Sequence, residues 1–421
     1  MSDKQIFASV EVADHEVRLV VGEFFNTRFN IIKVERIPCY GLTYNEVING
    51  DEIANALRKA ASSTKRTIGA EIKKVILAIP SYGLKKYSLK STVDISGIDG
   101  VVTIQDVRKA IHKAESVNIG KEYALIQTVP VKYIVNGIAT RRIPLGEKCT
   151  QLTIAVDLLC ADRKLSYDLV GFVEKAGLQV LDIFPDVYAI GKEAALFEQA
   201  VEKQVIVLKL ERESTVLALF TKGKLATAAI VPAGLGNMVS HCVDQYGIKT
   251  NDAVELMKYS VCFNRNSYTS NPVHIWSQDG ETKTITEKEF IDSVKENVSI
   301  WVNTIYESCK GILQAGQTTV IITGEGGETE GLSELVSKKL GCNVKCYIPD
   351  TLGGRNAGLT ATLGLFYAYQ DKLPISGYID DSLDMDAFKK SVSYREKKTE
   401  TDTKEDTLTS KLKGLFFEDK K

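Results

Sequence analysis

VIVLKLERESTVLALFTKGKLATAAIV, residues 205–231, reads as three short strands. Val205 to Leu210 and Thr215 to Phe220 are apolar and β-branched and flank the charged Glu211-Arg212-Glu213-Ser214; Lys222-Gly223 then turns the chain into Leu225 to Val231. Runs of this length, bounded by polar or glycine-bearing turns, have the pattern of hairpin strands. The chain opens in the same way, with Phe7 to Val12, Val17 to Phe24 and Phe29 to Arg36. A helix expected to begin at Asp51 follows, with Ile53, Leu57 and Ala60-Ala61 at helical spacing, and then a buried strand at Lys74 to Pro80. In the second half, helices at Asn251 to Ser260 and Glu287 to Leu313 lead to a buried strand, Val320 to Thr323, which runs into Gly324-Glu325-Gly326-Gly327. Three strands, a helix and a strand, written twice, predict a duplicated α/β fold with a cleft between its halves.

Between residues 84 and 158 the texture changes. Tyr87 to Val93 alternates, Thr103 to Ser116 is helical, and Leu125 to Val135 and Leu152 to Cys160 are strands, which reads as a small α+β insertion. Leu165 to Ala176 resumes as a helix with Gly177 at its end, followed by a strand at Val180 to Phe184 and a helix at Asp186 to Glu198. From Ser376 to Asp406 the chain is polar and charge-rich, a composition that buries too little apolar area to offset backbone ordering.

The 421 residues carry 53 Lys+Arg against 54 Asp+Glu, a formal net charge of -1, which argues against a non-specific nucleic-acid binder. No run approaches the roughly 18 to 20 apolar residues of a membrane span, and Met1 to Ala8 lacks the layout of a secretory signal, so a cytosolic chain is expected. The eight cysteines form no CxxC pair, and Cys342 and Cys346 have no histidine at zinc-ligand spacing after them. The four histidines, His15, His112, His241 and His274, lie in no GxSxG or HExxH pattern, so hydrolase chemistry of those kinds is not expected.

The segment Ala124-Leu-Ile-Gln-Thr-Val-Pro-Val-Lys-Tyr-Ile-Val-Asn-Gly137, followed by Ile143-Pro-Leu-Gly146, resembles the FtsA family of bacterial cell-division proteins. So do Val173-Glu-Lys-Ala-Gly-Leu178, the strands at 205–231 and the terminal apolar stretch, in order along the whole chain. The resemblance implies an α/β, actin-like (ribonuclease H-like, duplicated) two-lobed fold with an inserted α+β subdomain of the FtsA type. It implies subdomain 1A at 1–83 plus 159–194, 1C at 84–158, 2A at 195–230 plus 316–372 and 2B at 231–315. It further implies a flexible linker at 373–405 and an amphipathic membrane-targeting helix at 406–417. The implied partners are the chain itself in filaments, cytoplasmic membrane lipids, further division proteins, and the C-terminal peptide of FtsZ. That peptide would dock on 2B, where Lys258, Arg265, Lys288 and Lys295 could meet its acidic residues.

The nucleotide loops depart from the family pattern. Where the family's first phosphate loop reads Asp-x-Gly-[Ser/Thr], this chain has Glu11-Val12-Ala13-Asp14; where the second reads Asp-x-Gly-Gly-Gly-Thr-Thr-Asp, it has Lys209-Leu210-Glu211-Arg212-Glu213-Ser214-Thr215-Val216. Glycine's bare backbone lets successive N–H groups approach phosphate oxygens. Glu211, Arg212 and Glu213 crowd that space, and a carboxylate ~5 Å from a phosphate costs on the order of 3 kcal/mol at an effective dielectric of about 20. Lys209 also replaces the acid that would hold the water shell of Mg²⁺. Against this, Lys209 or Arg212 could neutralise phosphate, and Gly324, Gly326 and Gly327 keep the turn where the family holds adenosine. ATP hydrolysis and a metal site are not expected, and ATP binding stays open.

At the tail, Leu408, Leu412, Leu415 and Phe416 stand at i, i+4, i+7 and i+8 with Phe417 beside them, and Lys411 and Lys413 flank the stripe. One reading is an interfacial helix with its lysines on anionic lipid; the other is a helix packed on the protein's own body. Two further classes compete with a membrane-tethering scaffold: an active actin-like ATPase or sugar-kinase relative, and a peptide-binding adaptor resembling PilM.

Overall fold

The computed structural model describes residues 5–388 except 27, 96, 98, 279, 378, 379 and 385–387, so the stripe at 406–417 and most of the expected linker lie outside the described residues. The opening runs pair as expected: β1 (Gln5–Val12), β2 (Glu16–Phe25) and β3 (Arg28–Pro38) form antiparallel hairpins. Helix α1 (Gly50–Ile68) crosses to β4 (Lys74–Ile79), which joins β1 in parallel. The helix is capped by Asn49, whose side chain accepts from the Glu52 amide, two residues before the expected cap at Asp51.

The insertion follows as β5 (Lys85–Asp94), α2 (Ile104–Glu115), β6 (Tyr123–Val135), β7 (Ile138–Thr140) and β8 (Gln151–Asp162), a sheet in the order β5-β8-β6-β7. Its own core is closed by Val107, Ala110 and Ala114 of α2 against Val135, Leu152 and Ile154. The first lobe resumes with α3 (Arg163–Lys175) and β9 (Gln179–Pro185). The helix expected at 186–198 is two pieces, α4 (Asp186–Glu193) and α5 (Leu196–Gln199), because Ala195 between them is left-handed with φ 50°.

The second lobe repeats the plan with β10 (Gln204–Leu210), β11 (Thr215–Thr221), β12 (Lys224–Val231), α6 (Leu235–Tyr246) and α7 (Thr250–Tyr259). A hairpin of β13 (Pro272–Gln278) and β14 (Glu281–Thr286) leads into α8 (Glu287–Ala315), then β15 (Thr318–Thr323), α9 (Leu332–Leu340), β16 (Asn343–Cys346) and α10 (Thr360–Ser376). The two large sheets read β3-β2-β1-β4-β9 and β12-β11-β10-β15-β16, the same order and strand directions in each. This is the duplicated actin-like architecture.

One core joins the lobes: Phe7, Val20 and Ile76 of the first sheet and Val205, Val207 and Phe220 of the second pack on α4 and α10. Gly364 makes the approach of those two helices possible, since a Cβ there would fall within the Ala189 backbone. Because α10 runs through Ser376, the linker expected from residue 373 begins too early. Beyond it, Ser382 also docks on the first sheet: its amide donates to Ile6 O (3.0 Å), its Oγ accepts from the Ala8 amide (2.8 Å), and Leu383 is buried. These contacts occupy the end of β1 that β4 leaves unpaired.

Candidate functional site: the charged cleft between the lobes

The duplication sets the turn from β1 to β2 opposite the turn from β10 to β11, and the loop-borne charges converge there. Lys209, 6% exposed on β10, donates to Glu11 Oε1 at 2.6 Å and to Asp186 Oδ2 at 2.7 Å. Arg18, fully buried on β2, donates to Glu211 Oε1 (3.0 Å) and Oε2 (2.8 Å), to Glu11 Oε2 (3.2 Å) and to Glu16 Oε1 (2.6 Å). The Glu213 amide donates to Asp14 Oδ2 at 2.7 Å. Arg212 makes a two-pronged contact with Glu325, both bonds 2.8 Å, and also reaches Asn251. At the mouth, Asn251 Nδ2 donates to Tyr40 Oη at 3.0 Å.

His15 sits among these groups, 6% exposed, with Nδ1 2.8 Å from Asp14 Oδ1 and Nε2 3.2 Å from Glu325 Oε2. Burial by itself lowers its pKa, but the surrounding Asp14, Glu16 and Glu325 outweigh that and raise it to about 9, so the ring is an imidazolium at neutral pH. Burial opposes ionisation of Glu211 too, yet the Arg18 guanidinium holds its carboxyl down to about 2. Glu16 and Glu325 are also held below the usual carboxylate range despite burial, chiefly by Arg18 and Arg212 respectively. His15, Glu16, Glu211 and Glu325 are therefore charged at neutral pH, each beside a group of opposite sign.

The residues do not fit a nucleoside triphosphate and its Mg²⁺. Glu11, Asp186, Glu211 and Glu325, each at most 5% exposed, set carboxylates between the two loops that match the family's phosphate loops, and the cations that could offset them, Arg18, Lys209 and Arg212, are already bonded to them. Donor atoms of Asp14, His15 and Glu211 lie within 4.8 Å of one another, a spacing compatible with a metal ion. A metal there would have to displace the proton that the neighbouring carboxylates hold on His15 and compete with Arg18 for Glu211.

The glycine turn is spent on packing. Gly324 has φ 81°, and a Cβ on it would stand 2.7 Å from Leu210 O; a Cβ on Gly326 would overlap the Leu210 side chain, and one on Gly327 would come within 2.8 Å of Ala357. These bare faces thus hold the second loop and the segment before α10.

Of the residues singled out in the loops, Glu11, Asp14, Lys209, Glu211, Arg212 and Glu213 all meet in this cleft. Sequence reasoning missed His15, Glu16, Arg18, Asp186 and Glu325 as their partners. Glu16 and Arg18 did carry a signal: two charges at i and i+2 on one face of a strand otherwise apolar enough to be central. Lys258, expected on a peptide-binding surface, is instead 4% exposed and lies 3.3 Å from Glu255 and 3.7 Å from Glu325. Arg265 and Lys295 are paired with Glu287 and Asp292.

The family model described as "SHS2 domain inserted in FTSA" matches residues 83–160, the insertion of β5 to β8. Over 371 residues the chain is 22% identical to the cell division protein FtsA of Bacillus subtilis, covering 87% of this chain and 83% of that protein. The cell division protein FtsA of Neisseria meningitidis is likewise 22% identical over 384 residues, 87% of this chain and 91% of that protein. Among solved structures, a chain of a PilM-PilN type IV pilus biogenesis complex superposes with a TM-score of 0.57 at 13% identity, over 85% of this chain and 97% of that one. MreB5 of Spiroplasma citri bound to ADP gives 0.52 at 11% identity, over 89% and 99%. With the duplicated sheets and the matched insertion, these likenesses identify the chain as an actin-like relative of the FtsA cell-division proteins.

Proposed function

We propose that the protein is a cell-division scaffold of the FtsA type, which polymerises on the inner face of the cytoplasmic membrane at the division site and tethers FtsZ filaments there without hydrolysing ATP. The observation that carries this reading is the FtsA-type insertion set in an actin-like body, with similarity to FtsA proteins along 87% of the chain. The paired charges that fill the cleft support the absence of hydrolysis, because the side chains that could hold a metal or orient water against a phosphate are engaged with one another. Among the described residues no helix is long and apolar enough to cross a membrane, so attachment falls to the tail.

In this reading Leu408, Leu412, Leu415, Phe416 and Phe417 enter the headgroup boundary while Lys411 and Lys413 meet anionic lipid. Five such side chains, fully buried, give about 7 to 15 kcal/mol, much of it offset by ordering a dozen residues. One helix binds weakly and reversibly; a filament presenting many binds firmly through effective concentration. Subdomain 2B, between β12 and β15, takes the C-terminal peptide of FtsZ on its exposed face, with buried Lys258 excluded from that role.

Co-sedimentation with phosphatidylglycerol-containing vesicles tests the tether. The full-length protein pellets with vesicles, whereas Leu412→Glu and a chain ending at Thr407 stay in the supernatant. Equal pelleting of all three would refute it. Binding of a synthetic FtsZ C-terminal peptide, retained in the truncated chain, tests the second half of the assignment.

A further inference from the structure

The pairs in the cleft are not distributed at random between neighbours. Lys209 of the second lobe is bonded to Glu11 and Asp186 of the first, and Arg18 of the first is bonded through two nitrogens to Glu211 of the second. The Glu213 amide reaches back to Asp14, and at the outer rim Asn251 of α7 meets Tyr40, just past β3. Contacts therefore cross from lobe to lobe at the floor, in the middle and at the mouth.

A two-lobed protein closes around its cleft when something in the cleft binds both sides at once, and a soluble ligand performs that task only while it is bound. Here the bridging groups are covalently part of the lobes. Their charges are matched across the gap and shielded from water, so dilution cannot remove them and salt screens them little. We propose that this ion-pair set is an internal clasp: it takes the bridging role of a nucleotide and metal, holds the lobes closed with nothing bound, and frees whatever assembly the protein forms from gating by nucleotide exchange. The clasp stands on the cleft geometry alone and is independent of the assignment of lipid or FtsZ as partners.

Amide hydrogen exchange of the full-length protein, read at residues 9–19 and 207–216, tests this. In the unliganded protein both segments are protected, and millimolar ATP with Mg²⁺ leaves their rates unchanged. A gain of protection with nucleotide would overturn the proposal. The variant Glu11→Gln/Asp186→Asn/Lys209→Met removes one bridge without stranding a buried charge, and the asparagine introduced there keeps the Oδ1 that accepts from the amides of Ser81 and Val187. In this variant the two facing segments exchange about tenfold faster or more, while β15 in the lobe interior is unaffected. Unchanged rates at the facing segments in that folded variant would equally refute the clasp. Should the variant not fold, the nucleotide comparison on the native chain decides, together with Tyr40→Phe, which removes only the hydroxyl that meets Asn251 at the rim and must raise exchange around residue 251 without exposing either core.

Discussion

Raising the pH from 6.5 to 9 should destabilise this protein through one side chain, His15. Its folded pKa of about 9 lies above the ordinary histidine value of 6.5, so between those values the native state binds a proton that the unfolded chain has released. Stability from this source is complete below pH 6.5 and is lost as pH rises through 9. A difference of about 2.5 units corresponds to about 3 kcal/mol, of which roughly two thirds falls between pH 7 and 9. The groups facing the ring are Asp14, Glu16, Glu211 and Glu325, with Arg18 opposing them, and Glu16, Glu211 and Glu325 titrate well below that window. Glu193, pushed up to about 7 by burial, changes charge at its lower edge. Urea-unfolding midpoints at pH 7, 8 and 9 for the native chain and His15→Gln isolate the effect, because Glu193, thiols and lysines contribute alike to both. The native chain should lose about 2 kcal/mol more than the variant over this range. Equal slopes would refute the claim that a buried imidazolium is part of the cluster.

Lys209→Met alone leaves Asp186 without a cation and Glu11 with Arg18 only, both carboxylates at most 2% exposed; breaking such a buried pair costs about 3–5 kcal/mol, and thermal unfolding at pH 7 should show most of it recovered when Glu11→Gln and Asp186→Asn are added. Ser382→Ala leaves the buried Ala8 amide without its acceptor and should cost about 1–3 kcal/mol by the same assay, with vesicle pelleting unaffected.

How much of this was legible follows from what local pattern records. The duplicated hairpins and the buried strands at 74–79 and 318–323 stand out because β-branched runs and turn residues are local signals. Helix α10 is apolar around nearly its whole circumference, so no stripe marks it, and its burial between two sheets explains why. The break at Ala195 has no residue preference to announce it, since neither glycine nor proline stands there. In the cleft, the substituted loops identify the place, both halves of the Lys209–Glu11 pair and one half of the pairs with Arg18, Asp186 and Glu325. The other halves lie far along the chain, Arg18 from Glu211 and Arg212 from Glu325, and no periodicity links such positions; only the meeting of the two turns does. Lys258 misleads for the same reason: its neighbours in sequence are those of a surface helix, and the carboxylate facing it comes from residue 325.

The seat of Ser382 has a mechanical consequence. The backbone there is gripped from both sides, its amide by Ile6 and its carbonyl by the amides of Lys73 and Lys74, with Lys73–Asp384 and Lys74–Asp380 as outriggers. Tension on the chain beyond residue 388 is borne by this splice before it reaches α10. The bonds that Ser382 makes to Ile6, Ala8, Lys73 and Lys74 lie between that tension and the helix. β1 is also the strand whose opposite end carries Glu11, so a tug on the tail and the seal between the lobes act on two ends of a single rod.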